Sequence, residues 1–480
     1  MQKLSQLKPE SVFKYFEEIT SIPRGSGDME KISSYCEEFA KKNSLKYIRD
    51  VANNIIIFKD GTKGYENSEP VILQGHLDMV CQKEEGVDID FEKEGLDIYV
   101  DGNFIKARGT TLGADNGIAV AMILSVLERN DISHPPIEAV FTTDEETGMF
   151  GAKGLSFDKL KSKKMINIDS EDDKVLTVSC AGGSDFVMTF DFVRKSVVNE
   201  KITISIEGLK GGHSGVEINS HRQNANFLAG RILNFAKEKC DFDIISIDGG
   251  EKGNAIPDFC KINLLTNDAE KIVNIINDYV KIIKSEIINS EPDFKVNITK
   301  EGKNTFDVLD DKTKENLLFL LFLAPNGVVS MSDKIEGLVE TSLNLGILKT
   351  EDEKIIAHFT LRSNKESAMA FLEQKLFTLS KKINAKCESF GHYPAWEFKE
   401  NSSLQNLYQN LYKEKFNKDI KVEAIHAGLE CGIFASKIKN FDCISIGPEM
   451  YDIHTPKERV SISSTKEIYE LVLKVLEELK

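Results

Sequence analysis

Short apolar runs alternate with longer segments of helical period through the first third of the chain. Asn54–Phe58 (NIIIF), Val71–Leu73 (VIL), Ile137–Phe141 (IEAVF) and Met165–Ile168 (MINI) read as buried strands. Between two of them, Gly117–Arg129 (GIAVAMILSVLER) is apolar over a helical length. Pro9 sits at the start of an apolar stripe, Val12, Phe13, Phe16 and Ile19, which predicts an opening helix. The Pro23–Gly27 segment stops it, and Asp28 is placed to cap a second helix that runs to about Lys42. Strands alternating with helices predict an α/β layer with a largely parallel sheet.

The pattern changes near residue 183. Phe186–Val193 and Ile202–Glu207 alternate as half-buried strands do, and Asn224–Lys237 and Asp268–Ile288 are amphipathic helices. Ile355–Leu361 is a further strand and Glu366–Ile383 a further helix. Beyond residue 392 the α/β character returns, with a helix over Ser403–Phe416, a strand over Cys443–Ile446 and a last helix over Ser464–Leu479. The expected fold class is therefore α/β. A discontinuous catalytic domain, residues 1–182 and 393–480, has a mostly parallel sheet flanked by helices, and an α+β lid domain, residues 183–392, is inserted into it.

Candidate chemistry gathers at the ends of the apolar runs. VILQG leads into His76 and Asp78, IEAVFTT into Glu145 and Glu146, MINI into Asp169, and CISIGPEMYDI into His454. Asp115 lies in the Gly-rich segment GTTLGADNG, just before a helix. In open α/β sheets the functional crevice lies beyond the carboxyl ends of the strands, so these groups are expected to converge. A single acid after a strand is most often a turn or cap residue, and a single strand histidine is most often structural. The strings GHLD, TLGADNG and TDEETG occurring together are what point to a site.

Two imidazoles and several carboxylates without thiolates suit Zn²⁺, Co²⁺ or Mn²⁺. His76 and Asp78, two apart on a strand, point the same way, so Asp78 can orient the imidazole. Glu145 and Glu146 are adjacent and point apart, so one can hold metal while the other faces water. Two divalent ions bring four positive charges. Asp115, Glu146 and Asp169 bring three negative ones, a bridging hydroxide closes the balance, and Glu145 is left as general base.

Composition narrows the alternatives. The 480 residues carry 61 Lys and Arg against 77 Asp and Glu, a net charge of −16. That sign argues against nucleic acid and anionic membrane as partners. The longest strongly apolar run, Leu317–Ala324, is too short to cross a bilayer, and the charged Met1–Thr20 segment does not read as a signal peptide. Eight scattered cysteines without a C-x-x-C pair read as reduced thiols, and a cytoplasmic location is expected.

The strings resemble those of the aminoacyl-histidine (Xaa-His) dipeptidases. These belong to the co-catalytic zinc peptidases, with peptidase T, the carnosinases and the aminoacylases. The resemblance rests on QGHLDMVC (74–81), GTTLGADNG (109–117), TDEETG (143–148), IDS (168–170), GGHSG (211–215), GNAIP (253–257), HAGLECG (426–432), Gly447-Pro448 and His454-Thr-Pro456. It covers essentially the whole chain, and GNAIP and HAGLECG carry the branch.

The resemblance alone implies the individual roles. His76 and Asp169 would bind one metal ion and Glu146 and His454 the other, most often zinc, with Asp115 bridging them. Glu145 would be the general base and Asp78 would orient His76. A cis peptide would follow Asp115. His213 would polarise the scissile carbonyl, Arg362 would grip the free C-terminal carboxylate, Asn254 would meet the substrate, and Gly428 would let the backbone approach it. The activity implied is dipeptide hydrolysis, in a chain that can form a homodimer. A tripeptide aminopeptidase, an N-acyl amino-acid deacylase or a non-catalytic peptide-binding homologue are the alternatives. His134, His221, His358, His392 and His426 receive no role, and Glu84–Asp101 is expected to be a solvated loop or hairpin.

Overall fold

The structure, a computed structural model, describes residues 4–480; residues 1–3, where the first expected domain segment begins, lie outside the described residues. The chain divides into two compact units. The first comprises Met1–Ser179, Phe398–Ala424 and Leu429–Lys480, and the second Cys180–Glu397 and Ile425–Gly428. Among the described residues no helix is long and apolar enough to cross a membrane.

The first unit is α/β. Its eight-stranded sheet runs, from one edge to the other, through Lys46–Arg49, Ile55–Lys59, Ile137–Thr142, Val71–His76, Lys164–Asn167, Asp442–Ser445, Val175–Cys180 and Lys421–Ile425. The strands Ile137–Thr142, Val71–His76, Lys164–Asn167 and Asp442–Ser445 pair in parallel, and antiparallel pairs extend the sheet on either side of these four. Val71–His76 and Ile137–Thr142 are buried at every position, so Val71–Leu73 and Ala139–Phe141 run apolar without alternation. The helix Ala114–Glu128 is buried from Gly117 through Leu127. Each of its Ile and Leu side chains contributes about 1.5–3 kcal/mol of burial.

A separate four-stranded antiparallel sheet orders Met450–Tyr451, Arg459–Ser461, Phe104–Ala107 and Ile98–Asp101. Of the acidic Glu84–Asp101 stretch, expected as a solvated loop or hairpin, residues 84–97 form no strand, and Ile98–Asp101 pairs with Phe104–Ala107 beyond it. Asp28 does not cap the second helix, which starts at Glu30 after Met29. Its backbone N–H closes a turn onto the Gly25 carbonyl instead, and its carboxylate faces Lys31 at 3.5 Å.

The second unit is a nine-stranded sheet with helices. Along Lys354–Ser363, the residues Ile355, Ala357, Phe359 and Leu361 enter the apolar core. So do Phe186, Met188 and Phe190 of Gly182–Asp191, together with Ile232, Ile276, Leu317 and Leu372 from four helices. Alternation therefore turns His358, Thr360, Arg362 and Asp185 to the other face of the sheet. The long pair Arg194–Glu207 and Lys295–Leu309 is antiparallel. Lys295–Leu309 is mostly polar and exposed, so main-chain pairing holds it rather than a hydrophobic pattern.

Candidate functional site

In the first unit, chain ends and turns bring the acids and imidazoles together. His76 ends the strand Val71–His76, and Asp169 follows Lys164–Asn167 by two residues. Asp115 lies at the start of Ala114–Glu128, where Asp115 and Asn116 depart from helical geometry and the bond between them is cis. His454 sits between the paired strands Met450–Tyr451 and Arg459–Ser461, with φ +60°.

The two oxygens of Asp115 face in two directions. Oδ1 lies 3.1 Å from His76 Nε2, and Oδ2 lies 3.3 Å from His454 Nε2. His76 Nε2 is also 3.5 Å from Asp169 Oδ1, and His454 Nε2 is 3.0 Å from Glu146 Oε1. One ligand atom each from His76, Asp115 and Glu146 lies within 4.8 Å of the others.

The electrostatics match that crowding. Burial pulls the His76 imidazole down, but Asp169, Asp115 and Asp78 outweigh it and hold its pKa well above the ordinary range. Hydrogen bonds to Asp115 and Glu146 push His454 up to about 10 against burial. Burial opposes ionisation of Asp115, yet the two imidazoles keep it below the usual carboxylate range. Asp169 is pushed up, chiefly by burial. The carboxylates of Asp115, Glu146 and Asp169 thus favour positive charge at both imidazoles. Two imidazoles and three carboxylates gathered this closely fit a metal centre.

Asp78 is fully buried and supports this set. Its Oδ1 accepts from the Glu145 N–H at 3.0 Å, and its Oδ2 from the Glu146 N–H at 3.2 Å and from Ser26 Oγ at 2.9 Å. His76 Nδ1 faces the Asp78 carbonyl at 3.2 Å and its carboxylate at 3.4 Å. Burial, joined by Asp169, Glu430 and Glu146, pushes the Glu145 carboxyl well above its ordinary pKa, with His76 opposing. A carboxylate with a raised proton affinity is suited to taking up a proton near neutrality.

The second unit holds its own polar set. His213 Nδ1 accepts from the N–H groups of Gly215 and Val216 at 3.2 and 3.3 Å. Burial and then Arg362 lower its pKa, with Glu217 opposing. The ring is therefore neutral, with its proton on Nε2 as a donor. Arg362 is 7% exposed, donates from Nη1 to Tyr393 Oη at 2.9 Å, and leaves its buried Nε unpartnered among the described residues. A Cβ at Gly215 would lie 2.9 Å from His213 Cε1 and 3.1 Å from Arg362 Nε, so only glycine lets these groups approach so closely. Asn254 is exposed, and its carbonyl accepts from Ser214 N–H at 2.9 Å. Gly428 is half-buried, two residues after His426. His426 is buried between Ser342 Oγ at 2.7 Å and Asn364 Oδ1 at 3.3 Å. His358 pairs with Asp185 at 2.9 Å, and His134 is buried against the Pro135 carbonyl at 2.8 Å.

Two supporting residues escaped the sequence. Asn116 accepts from the His76 N–H at 3.2 Å and donates to the Ile168 carbonyl at 2.7 Å, tying the segment that ends in His76 to the one that precedes Asp169. Arg24 is fully buried and donates to the carbonyls of Leu77 at 2.9 Å, Asp78 at 3.1 Å and Gly113. The available signal was an arginine among small residues in PRGSG, beside an apolar helix, and that is a weak one.

Comparison with known proteins gives the family of the chain. Residues 72–478 match the profile of peptidase family M20/M25/M40. The chain is 38% identical over 483 residues to the cytosol non-specific dipeptidase of Escherichia coli (strain K12), covering 100% of this chain and 99% of that one. It superposes with a TM-score of 0.94 on the aminoacylhistidine dipeptidase of Vibrio alginolyticus, at 35% identity over 99% of this chain and 98% of the other. Aminopeptidase PepT of Bacillus cereus ATCC 10987 shares the fold, with a TM-score of 0.57 and 15% identity over 98% and 99% of the chains.

Proposed function

This chain belongs to peptidase family M20/M25/M40, and from that premise we propose that it is a cytoplasmic, metal-dependent dipeptidase acting on unblocked dipeptides, Xaa-His among them. The observation that carries the reading is the orientation of Asp115. One carboxylate presents an oxygen to each of two imidazole-and-carboxylate pairs, which is what a bridge between two cations requires. Relatives named for dipeptide cleavage over their whole length support the substrate class. The name of the Escherichia coli relative supports a cytosolic place of action.

His76 and Asp169 would hold one cation, Glu146 and His454 the second, and Asp115 both. A His and carboxylate donor set suits Zn²⁺ first, with Co²⁺ or Mn²⁺ as substitutes. Bound there, the cations would polarise the scissile carbonyl and acidify a water molecule. Glu145 takes a proton from the attacking water as its oxygen bonds to the carbonyl carbon. It returns a proton to the amide nitrogen as the C–N bond breaks, leaving a carboxylic acid and an amine. Asp78 fixes the His76 ring and, through the Glu145 and Glu146 N–H groups, the backbone that carries base and ligand. His213 donates from Nε2 to the carbonyl oxygen as that oxygen gains negative charge. Arg362 grips the terminal carboxylate with two parallel N–H donors, Asn254 adds a polar contact, and Gly428 lets the backbone come close. A carboxylate clamp rejects C-terminally blocked peptides.

The test is hydrolysis of Ala-Ala, Ala-His, β-Ala-His, Ala-Ala-Ala and acetyl-Met by metal-stripped protein with Zn²⁺, Mn²⁺ or Co²⁺ restored. Cleavage confined to dipeptides and restored by metal is expected. Preference for the tripeptide or the acetylated amino acid would keep the metal centre and overturn the substrate class. No hydrolysis with any metal would overturn catalysis.

A further inference from the structure

One buried carboxylate takes no part in the chemistry above, yet it touches the backbone of the bridging residue. Glu458 lies four residues after His454, immediately before the strand Arg459–Ser461, and is 3% exposed. Its Oε2 accepts the N–H groups of Leu112 at 2.7 Å and Gly113 at 2.9 Å. Its Oε1 accepts those of Ala114 at 2.7 Å and Asp115 at 3.3 Å. The first N–H groups of a helix have no partner within it, and a flanking Ser, Thr, Asp or Asn usually serves one of them. Here the flanking residue is Gly113, which has no side chain, and a carboxylate 345 residues further on serves the first two helical N–H groups, those of Ala114 and Asp115, along with those of Leu112 and Gly113 before them.

The same loop is held from another direction. Arg24 donates to the Gly113 carbonyl and to the Leu77 and Asp78 carbonyls beside His76. A Cβ at Gly117 would come within 2.6 Å of the guanidinium, and one at Gly113 would collide with it outright. Glu458 and Arg24 carry opposite charges in the interior, so each offsets part of the other's burial cost. Together they join the segments bearing His76, Asp115 and His454.

We propose that Glu458 is a positioning residue for the metal centre: it sets Asp115 against His454 before any cation arrives, so that ions enter a formed site. This rests on the ligand assignment proposed above. Without the carboxylate, four buried N–H groups lose their acceptor, and the Leu112–Asp115 loop must be ordered at the expense of metal affinity.

The experiment measures Zn²⁺ dissociation constants of metal-stripped wild type, Glu458→Gln, Glu458→Asp and Arg24→Lys by competition with a chromophoric chelator. Circular dichroism confirms that each is folded. Roughly 10–100-fold weaker binding is expected for Glu458→Gln, the range seen when partners of metal ligands are removed. The metal-activation curve for Ala-Ala should move to higher Zn²⁺ by the same factor. Glu458→Asp and Arg24→Lys keep the charge with altered reach and should weaken binding less; they carry the test if Glu458→Gln does not fold. An unchanged dissociation constant in folded variants overturns the proposal. So does a uniform drop in activity with the half-saturating Zn²⁺ concentration unmoved, which is the mark of a purely structural lesion. Asp115→Ala separates the two levels: if it also binds Zn²⁺ as wild type does, the ligand assignment itself falls.

Discussion

Protonating His426 should unfasten the second unit. The ring is 6% exposed and hydrogen-bonded through both nitrogens, to Ser342 and Asn364. Burial first, then the Arg362 guanidinium and the His213 ring, lower its pKa to about 3, with the Val339 backbone opposing. In the unfolded chain an imidazole titrates near 6.5. A base whose folded pKa is depressed favours its neutral form in the native state. Its full contribution is present above pH 6.5 and is lost as pH falls from there towards 3. A tenfold change in proton affinity corresponds to about 1.36 kcal/mol, so the complete loss is on the order of 5 kcal/mol. At pH 5 the unfolded imidazole is about 97% protonated and the folded one almost not at all, which makes the loss about 2 kcal/mol.

The single tryptophan, Trp396, is buried in this unit and reports its unfolding. Urea titrations followed by its fluorescence at pH 7.5 and 5.0 should show wild type losing about 2 kcal/mol more than His426→Gln, whose amide can still bond to Ser342. Every other titrating group, the depressed His213 included, is common to both proteins and cancels in the difference. Equal pH dependence in the two proteins would refute the reasoning, because the buried imidazole would then be charged, or solvated, at no cost.

Two further predictions concern catalysis. Glu145→Gln should lower kcat by roughly 10²–10⁴-fold while bound metal, measured by elemental analysis, stays at the wild-type level. Tyr393→Phe removes the phenol 2.9 Å from Arg362 Nη1 and loosens the clamp by about 1 kcal/mol, so KM for dipeptides should rise roughly fivefold with kcat retained.

The candidate ligands stand out because His76, Glu146, Asp169 and His454 follow segments that begin as apolar runs, while Asp115 stands out through the Gly-rich string that opens a helix. Ile137–Thr142 and Lys164–Asn167 are apolar and covered, and a charged group directly after such a segment has few places to go but the end of the sheet. Arg362 entered only through the family resemblance; the structure adds that Ile355, Ala357, Phe359 and Leu361 fill the core, so the residues between them face away from it. Lys295–Leu309 was not, because an exposed strand paired through its main chain needs no apolar alternation.

Arg24, Asn116 and Glu458 fall outside such reasoning on physical grounds. What they bind is backbone: carbonyls of Leu77, Asp78 and Ile168, and N–H groups of His76 and of residues 112–115. Every residue except proline offers the same N–H and C=O, so these contacts leave no mark on the partner's identity. Only the glycines betray them, since Gly113 and Gly117 are where the Arg24 guanidinium leaves no room for a side chain. Glycine at those two positions is thus explained by packing against a charge rather than by turn geometry alone. The candidate ligands therefore stand out locally, while their placement is held by buried side chains that bind main chain up to hundreds of residues away. Metal affinity in this fold then depends on residues such as Glu458 that neither touch an ion nor resemble a ligand in sequence.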